Sequence, residues 1–147
     1  MSWRIRTAAP QDAERISCIN RESLGYDCDV DTTRERIAAI LGRPTDRLLV
    51  ACREEDGYVG GFMLAADYET LHNGSQKNVL SLAVDGRFQG QGLGRMLLGE
   101  AEAWARECGC TGVRLVSGFD RVKAHQFYQH CGYWMRKDEK NFVKSVR

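Results

Sequence analysis

The sequence predicts an α/β (α+β) layer fold with a mixed sheet, and three observations carry that prediction. Val79-Leu80-Ser81-Leu82-Ala83-Val84 is apolar nearly throughout, as a strand buried on both faces would be. It leads into Leu93 to Cys108, where Leu93, Leu97, Ala101, Trp104 and Cys108 recur at steps of three and four on one helical face. Val113-Arg114-Leu115-Val116 then reads as the next strand, which completes a strand–helix–strand unit. No Pro/Ser-rich linker, internal repeat or low-complexity stretch interrupts the chain, so residues 1–147 read as one domain.

The other elements follow in order. Trp3-Arg4-Ile5-Arg6 alternates as a short strand, Thr7 is a candidate helix cap, and Pro10 suits a first helical turn. Ile16 and Ile19 mark the apolar stripe of that helix, and Glu22 to Tyr26 reads as irregular. A second helix starts near Asp31 or Thr32, carries Ile37, Ile40 and Leu41, and stops at Gly42-Arg43-Pro44. Leu48 to Cys52 and Tyr58 to Ala66, separated by Glu55-Asp56-Gly57, read as a β-hairpin. Asp67 to Asn78 reads as a polar connection. Near the end, Asp120 is a candidate cap for a short helix whose face is Ala124, Phe127, Tyr128 and Cys131, closed by Gly132. Tyr133–Arg136 and Asn141–Val146 read as final strands.

Composition excludes several functions. Hydrophobic residues make up 43% and charged residues 28% of 147, ordinary for a globular chain. Lys+Arg 21 against Asp+Glu 20 gives a net charge of +1, without the basic excess of a protein that tracks a nucleic-acid backbone. The chain contains no apolar run of about 18 residues, so neither a transmembrane helix nor a membrane partner is expected. Met1 to Arg6 lacks the apolar core of a signal peptide, which points to the cytoplasm. The six cysteines are then expected as reduced thiols, and Cys108-Gly109-Cys110 is too closely spaced for a common zinc site. No metal is expected.

The segment Gln89-Gly90-Gln91-Gly92-Leu93-Gly94-Arg95 lies between the buried strand and the amphipathic helix. Glycines there let the backbone approach a ligand closely, and the helix start offers free N–H groups and a positive dipole end. Phosphate or pyrophosphate suits such a place. Two familiar loops do not fit. The dinucleotide pattern would need a glycine where Arg95 stands, and a Walker A loop would need Lys-Ser/Thr after Gly94. Gly92 and Gly94 each cost about 1 kcal/mol relative to alanine within a helix, and a close backbone approach accounts for that cost better than a plain tight turn.

Gln89-Gly90-Gln91-Gly92-Leu93-Gly94 also matches Q/R-x-x-G-x-G/A, the acyl-CoA pyrophosphate motif of the GNAT superfamily of N-acetyltransferases. Leu82-Ala83-Val84 precedes it, and a later block with Ala124, Phe127, Tyr128, Gly132 and Tyr133 resembles the family's N-x-x-A-x-x-F-Y-x-x-x-G-F/Y. The resemblance spans almost the whole chain. It implies a mixed sheet of six to seven strands with about four helices, in which two parallel strands splay after a bulge. It also implies acetyl-CoA as co-substrate and a primary amine as acceptor, joined by direct attack in a ternary complex. The backbone of Leu82, Ala83 and Val84 would face the acetyl and pantetheine groups. Gln89, Gly90, Gln91, Gly92, Leu93, Gly94 and Arg95 would hold the pyrophosphate, with Arg121 and Ala124 at the second block. Homodimers are common among similar proteins.

Tyr128 matches the family's general acid. A phenol suits the role because its ordinary pKa of about 10 keeps it protonated at neutral pH. Two departures stand out. Arg121 replaces the usual asparagine and reads either as a phosphate contact or as a solvated helix-start charge. Asn78 stands where related chains often carry a glutamate, so no base is assigned. His72, Asp67, Glu69, Glu22, Tyr26, His125 and His130 are polar candidates without a pattern to single one out. A non-catalytic acyl-CoA-binding module and a protein acetyltransferase remain the alternative readings.

Overall fold

The computed structural model describes residues 2–147, which divide into two units, one running to Val116 and the other Ser117–Arg147. The first holds a five-stranded sheet in the order β1-β2-β3-β4-β5. Its strands are β1 (Trp3–Thr7), β2 (Asp46–Arg53), β3 (Val59–Thr70), β4 (Gly74–Val84) and β5 (Gly112–Leu115). The first three pairings are antiparallel and β4·β5 is parallel, which makes the sheet mixed, as expected.

Helices cover both faces of the sheet. Strand residues alternate sides, so Leu48, Val50, Cys52 and Phe62 meet Ile16 and Ile19 of α1 (Ala13–Ile19) and Ile37 of α2 (Val30–Leu41) in one core cluster. On the other face lies α3 (Leu93–Glu107), which buries Leu93, Leu97, Leu98, Ala101, Trp104 and Ala105. Its Leu97 reaches the β3 backbone at Gly61. The helix–strand crossover from β4 to β5 is the unit read from the sequence.

Several local expectations change. Asp67 to Asn78 is not a loop: β3 and β4 extend through it and pair from Asp67↔Lys77 to Thr70↔Gly74. The alternation there is polar because this end of the hairpin is largely solvated, which hides the strand period from a hydrophobic reading. Buried Lys77 is the exception. Its Nζ donates to Asp67 Oδ1 at 2.6 Å and stands 3.8 Å from the Trp104 ring centre. Helix α2 starts at Val30, because Asp29 caps it by accepting the Thr32 N–H at 2.7 Å. Glu22 to Tyr26 reads as irregular, but its first part, to Leu24, belongs to a π-helical turn, Asn20–Leu24, that continues α1.

The second unit holds α4 (Val122–His130), which begins after Arg121. The two strands expected at Tyr133–Arg136 and Asn141–Val146 do not form, so the described residues contain five strands, not six or seven. A short run of aromatic and branched residues is not enough to make a strand; the N–H and C=O groups also need a neighbour. Here Trp134, Met135, Phe142 and Val143 are exposed, and the charged run Lys137-Asp138-Glu139-Lys140 separates the two segments. None of the cysteines among the described residues is joined in a disulfide. No helix among the described residues is long and apolar enough to cross a membrane.

Two glycines in the first unit should respond oppositely to alanine. A Cβ at Gly61 would lie 3.0 Å from the Ala83 carbonyl, while one at Gly99 on α3 meets nothing within 4 Å. Gly61→Ala is expected to destabilise by about 1–3 kcal/mol through overpacking. Gly99→Ala is expected to stabilise by about 0.5–1 kcal/mol through helix propensity. Urea unfolding measures both, and shifts of the same sign would contradict the packing described.

Candidate active site

The site begins where β4 loses a neighbour. Pairing with β5 ends at Val79↔Leu115, but β4 runs on to Val84. Just there the β3·β4 register steps from Leu64↔Ser81 to Ala65↔Val79, so Leu80 is an extra residue, a β-bulge. Leu80 to Val84 therefore have a strand on one side only. This is the splay that the family resemblance implies.

The direction of the backbone groups on that edge follows from two hydrogen bonds. The Asp85 N–H donates to Gly60 O on β3 at 2.8 Å. Val84, one residue earlier, points the other way, and its carbonyl accepts the Ser23 hydroxyl at 2.9 Å. Leu82 shares Val84's side. Ala83 faces β3 and is buried, so its own N–H and C=O are turned away from the open edge. Of the three strand residues proposed from sequence, Leu82 and Val84 present main-chain groups to the gap.

The chain then turns through Gly86–Phe88, a 3-10 turn capped by Asp85, which accepts the Arg87 N–H at 2.9 Å. Gly90 and Gly92 take left-handed φ values of 82° and 87°, and Gly92 is the N-cap of α3. Residues with a Cβ rarely adopt this conformation. The first α3 hydrogen bond back to the turn is Met96 N–H to Gly92 O, 3.0 Å. The N–H groups of Leu93 and Gly94 thus stand at the open start of the helix, the arrangement that suits an anion. Gln89 to Gly92 and Arg95 are exposed, whereas Leu93 and Gly94 are buried.

A cavity of about 690 Å³ lies beside this turn, lined among others by Arg15, Cys18, Glu22, Ser23, Arg87 and Gln89. Asp85, 4% exposed, organises its wall. Its carboxylate accepts from Arg15 Nη2 at 2.7 Å and from Arg87 Nη2 at 2.9 Å. Arg87 also donates to the Tyr58 hydroxyl at 2.6 Å, and Arg15 lies 4.3 Å from the Tyr58 ring centre. The Arg87 hydrogen bond holds the Asp85 carboxyl well below the usual carboxylate range, against burial, which acts the other way. Two guanidinium groups thus share one buried carboxylate at the foot of the glycine loop, and Glu22 brings a second carboxylate to the cavity wall. Sequence reading missed Asp85, Arg15 and Ser23. The available signal was an acidic residue directly after an apolar strand and two residues before an arginine.

In the second unit, Tyr128 is half-buried on α4 between Phe127 and Tyr133, with ring centres 5.3 and 6.3 Å away. Burial raises its hydroxyl above the ordinary tyrosine value, partly opposed by the Arg121 charge. Arg121 is exposed, and with Asp120, Val122, Lys123 and Ala124 it lines a hollow of about 310 Å³ at the start of α4. The His125 ring nitrogen is 2.8 Å from Gly118 O, a loop-closing contact.

Among the polar candidates of the first unit, Glu22 lines the cavity, whereas the carboxylates on the β3–β4 hairpin have partners. Asp67 pairs with Lys77, Glu69 Oε1 accepts the Ser75 hydroxyl at 2.7 Å, and Asn78 Oδ1 accepts from Arg114 at 2.8 Å. His72 lies at the tip of the β3–β4 hairpin. The described residues include no group of three or more His, Cys, Asp or Glu that could hold a metal ion.

The Asp85 pairing carries a pH signature. A carboxyl depressed in the folded state adds stability above its unfolded pKa of about 3.9, and that stability is lost as pH falls toward the folded value. Asp85→Asn should therefore lower stability by the same amount at pH 7 and pH 5. The gap between parent and variant should narrow below about pH 4. Urea titrations at three pH values check this; a gap independent of pH down to 3 would contradict it.

Residues 13–133 match the family model described as the acetyltransferase (GNAT) family. An aminoglycoside N(6')-acetyltransferase type 1 of Stenotrophomonas maltophilia is 29% identical over 133 residues, covering 88% of this chain and 84% of the relative. An aminoalkylphosphonate N-acetyltransferase of Salmonella typhimurium is 29% identical over 142 residues, covering 97% and 90%. Among solved structures, a transcriptional regulator from Bacillus halodurans C-125 superposes with a TM-score of 0.86 at 20% identity, covering 97% of this chain and all of the other. AAC(6')-Iy, in complex with the bisubstrate analog CoA-S-monomethyl-acetylneamine, superposes at 0.84 with 15% identity, covering 99% of this chain and all of the other. The chain belongs to the GNAT acetyltransferase family and is an acetyl-CoA-dependent N-acetyltransferase.

Proposed function

We propose that the protein moves the acetyl group of acetyl-CoA to the primary amine of a small molecule, with residues 1–147 acting as one catalytic domain. The single observation that carries the cofactor assignment is the unpaired edge of β4 leading into the Gly90–Gly94 turn. Main-chain groups of Leu82 and Val84 suit the acetyl and pantetheine amides. The N–H groups of Leu93 and Gly94 suit the pyrophosphate, with Gln89, Gly90, Gln91, Gly92 and Arg95 shaping the loop. Arg121 and Ala124 belong to the cofactor set by motif alone. A small amine is favoured because the two relatives named above are, by name, an aminoglycoside and an aminoalkylphosphonate acetyltransferase.

In this reading a neutral amine attacks the thioester carbonyl and an N–C bond forms. The C–S bond then breaks, and the departing thiolate takes a proton from the Tyr128 hydroxyl. The surplus amine proton leaves to water, and Tyr128 regains its proton from solvent; Asp67, Glu69 and Asn78 all have other partners. The protein's contribution is positioning, backbone stabilisation of the oxyanion and this proton transfer. Ser23 holds the Val84 carbonyl, so that hydrogen bond is exchanged when pantetheine occupies the edge.

Two measurements test the reading, after a panel of primary amines monitored by CoA release has found an acceptor. First, Gly92→Glu places a carboxylate at the helix start in a backbone conformation that disfavours it. Acetyl-CoA binding by calorimetry is expected to vanish while circular dichroism stays native; a folded variant with unchanged affinity would remove the loop from the site.

Second, Tyr128→Phe should lower kcat about 10²–10⁴-fold, the usual loss of a general acid, with acetyl-CoA affinity retained. Because the Tyr128 hydroxyl is raised, no alkaline loss of kcat from it is expected below about pH 10. A Phe variant within about threefold of the parent, with chemistry rate-limiting, would exclude Tyr128 as the acid.

A further inference from the structure

The first strand and the glycine loop, far apart in sequence, share one hydrogen bond. The Trp3 indole N–H donates to Gln91 Oε1 at 3.1 Å. The same ring meets Phe88 edge-on at 5.0 Å and 62°, and Phe88, buried at the end of the 3-10 turn, meets Tyr58 at 6.0 Å. Trp3 has room only because residue 60 is glycine. A Cβ there would lie 2.8 Å from two carbons of the indole ring.

Gly60 is also the extra residue where the β2·β3 register steps from Ala51↔Gly61 to Cys52↔Val59. Its carbonyl accepts the Asp85 N–H at 2.8 Å. One bulge thus seats the indole and holds the exit of β4.

The loop needs such a hold. Gln91 is exposed and flanked by two left-handed glycines, the residues that lose most backbone freedom on ordering. Phe88 anchors the chain before Gly90, and Leu93, 1% exposed, anchors it after Gly92. Trp3 fixes the residue between the two glycines.

We propose that Trp3 is a positioning residue for acetyl-CoA: its indole N–H holds Gln91, and through it the Gly90–Gly92 turn, in the form that directs the Leu93 and Gly94 N–H groups at the pyrophosphate. Trp3 acts through Gln91. The proposal rests on the assignment of this loop to acetyl-CoA.

The test is a double-mutant cycle read by calorimetry with acetyl-CoA. Trp3→Phe removes the N–H and keeps an aromatic ring against Phe88. Gln91→Met removes the acceptor at an exposed position. Each is expected to raise the Kd for acetyl-CoA about two- to tenfold, the scale of one hydrogen bond. The double variant should show no further rise.

A lower Tm with unchanged Kd would make Trp3 merely structural and overturn the proposal, as would additive effects in the double variant. Should Trp3→Phe not fold, Gln91→Met carries the test alone, and an unchanged Kd overturns it. Failure of the unsubstituted protein to bind acetyl-CoA would instead remove the cofactor assignment, and this proposal with it.

Discussion

Between Leu80 and Val84 the fourth strand has a hydrogen-bonding neighbour on one side only. A strand in the middle of a sheet normally has its N–H and C=O groups paired on both sides, and unpaired groups shielded from water are costly. Here the bulge at Leu80 and the end of β5 pairing at Leu115 coincide, so the open edge is built into the backbone. The rest of the first unit supports that gap. β3 continues to hold the other edge, α3 closes one face, and α1 with its π-helical extension brings Ser23 to the Val84 carbonyl. The extended chain of pantetheine, with its amides, has the hydrogen-bonding character of a missing strand.

Electrostatics extends the same edge toward the anion loop. Asp85 follows Val84 directly, and its carboxylate ties Arg15 of α1 and Arg87 of the turn into one cluster. A carboxylate buried without partners would be costly. Paired twice, it fixes the corner where strand becomes loop. The charges of the cavity wall balance, Arg15 and Arg87 against Asp85 and Glu22, so the pull on an anion comes from the open start of α3.

Much of this was legible in the sequence because it depends on local chemistry. The run Val79–Val84, the alternating glycines and the α3 stripe each state their own structure. The β3–β4 hairpin end was not legible, because Asp67 to Asn78 is held by polar pairs such as Lys77–Asp67 that carry no apolar period. The final strands were over-read for the opposite reason: Tyr133–Arg136 and Asn141–Val146 are rich in aromatic and branched residues, but no strand among the described residues pairs with them. At the site, Gly90, Gly92 and Leu93 could be placed from motif and spacing. Arg15, Ser23 and Trp3 could not, because each acts through a partner more than sixty residues away in the chain.

The central claim is that the β4 edge and the α3 start form one continuous acetyl-CoA site. Amide hydrogen exchange followed by NMR, with and without acetyl-CoA, tests it most directly. The account predicts that the N–H groups of Leu82, Val84, Leu93 and Gly94 gain protection together on binding, while the Ala83 N–H, already directed at β3, changes little. Binding of acetyl-CoA that leaves those four amides exchanging at their original rates would contradict it.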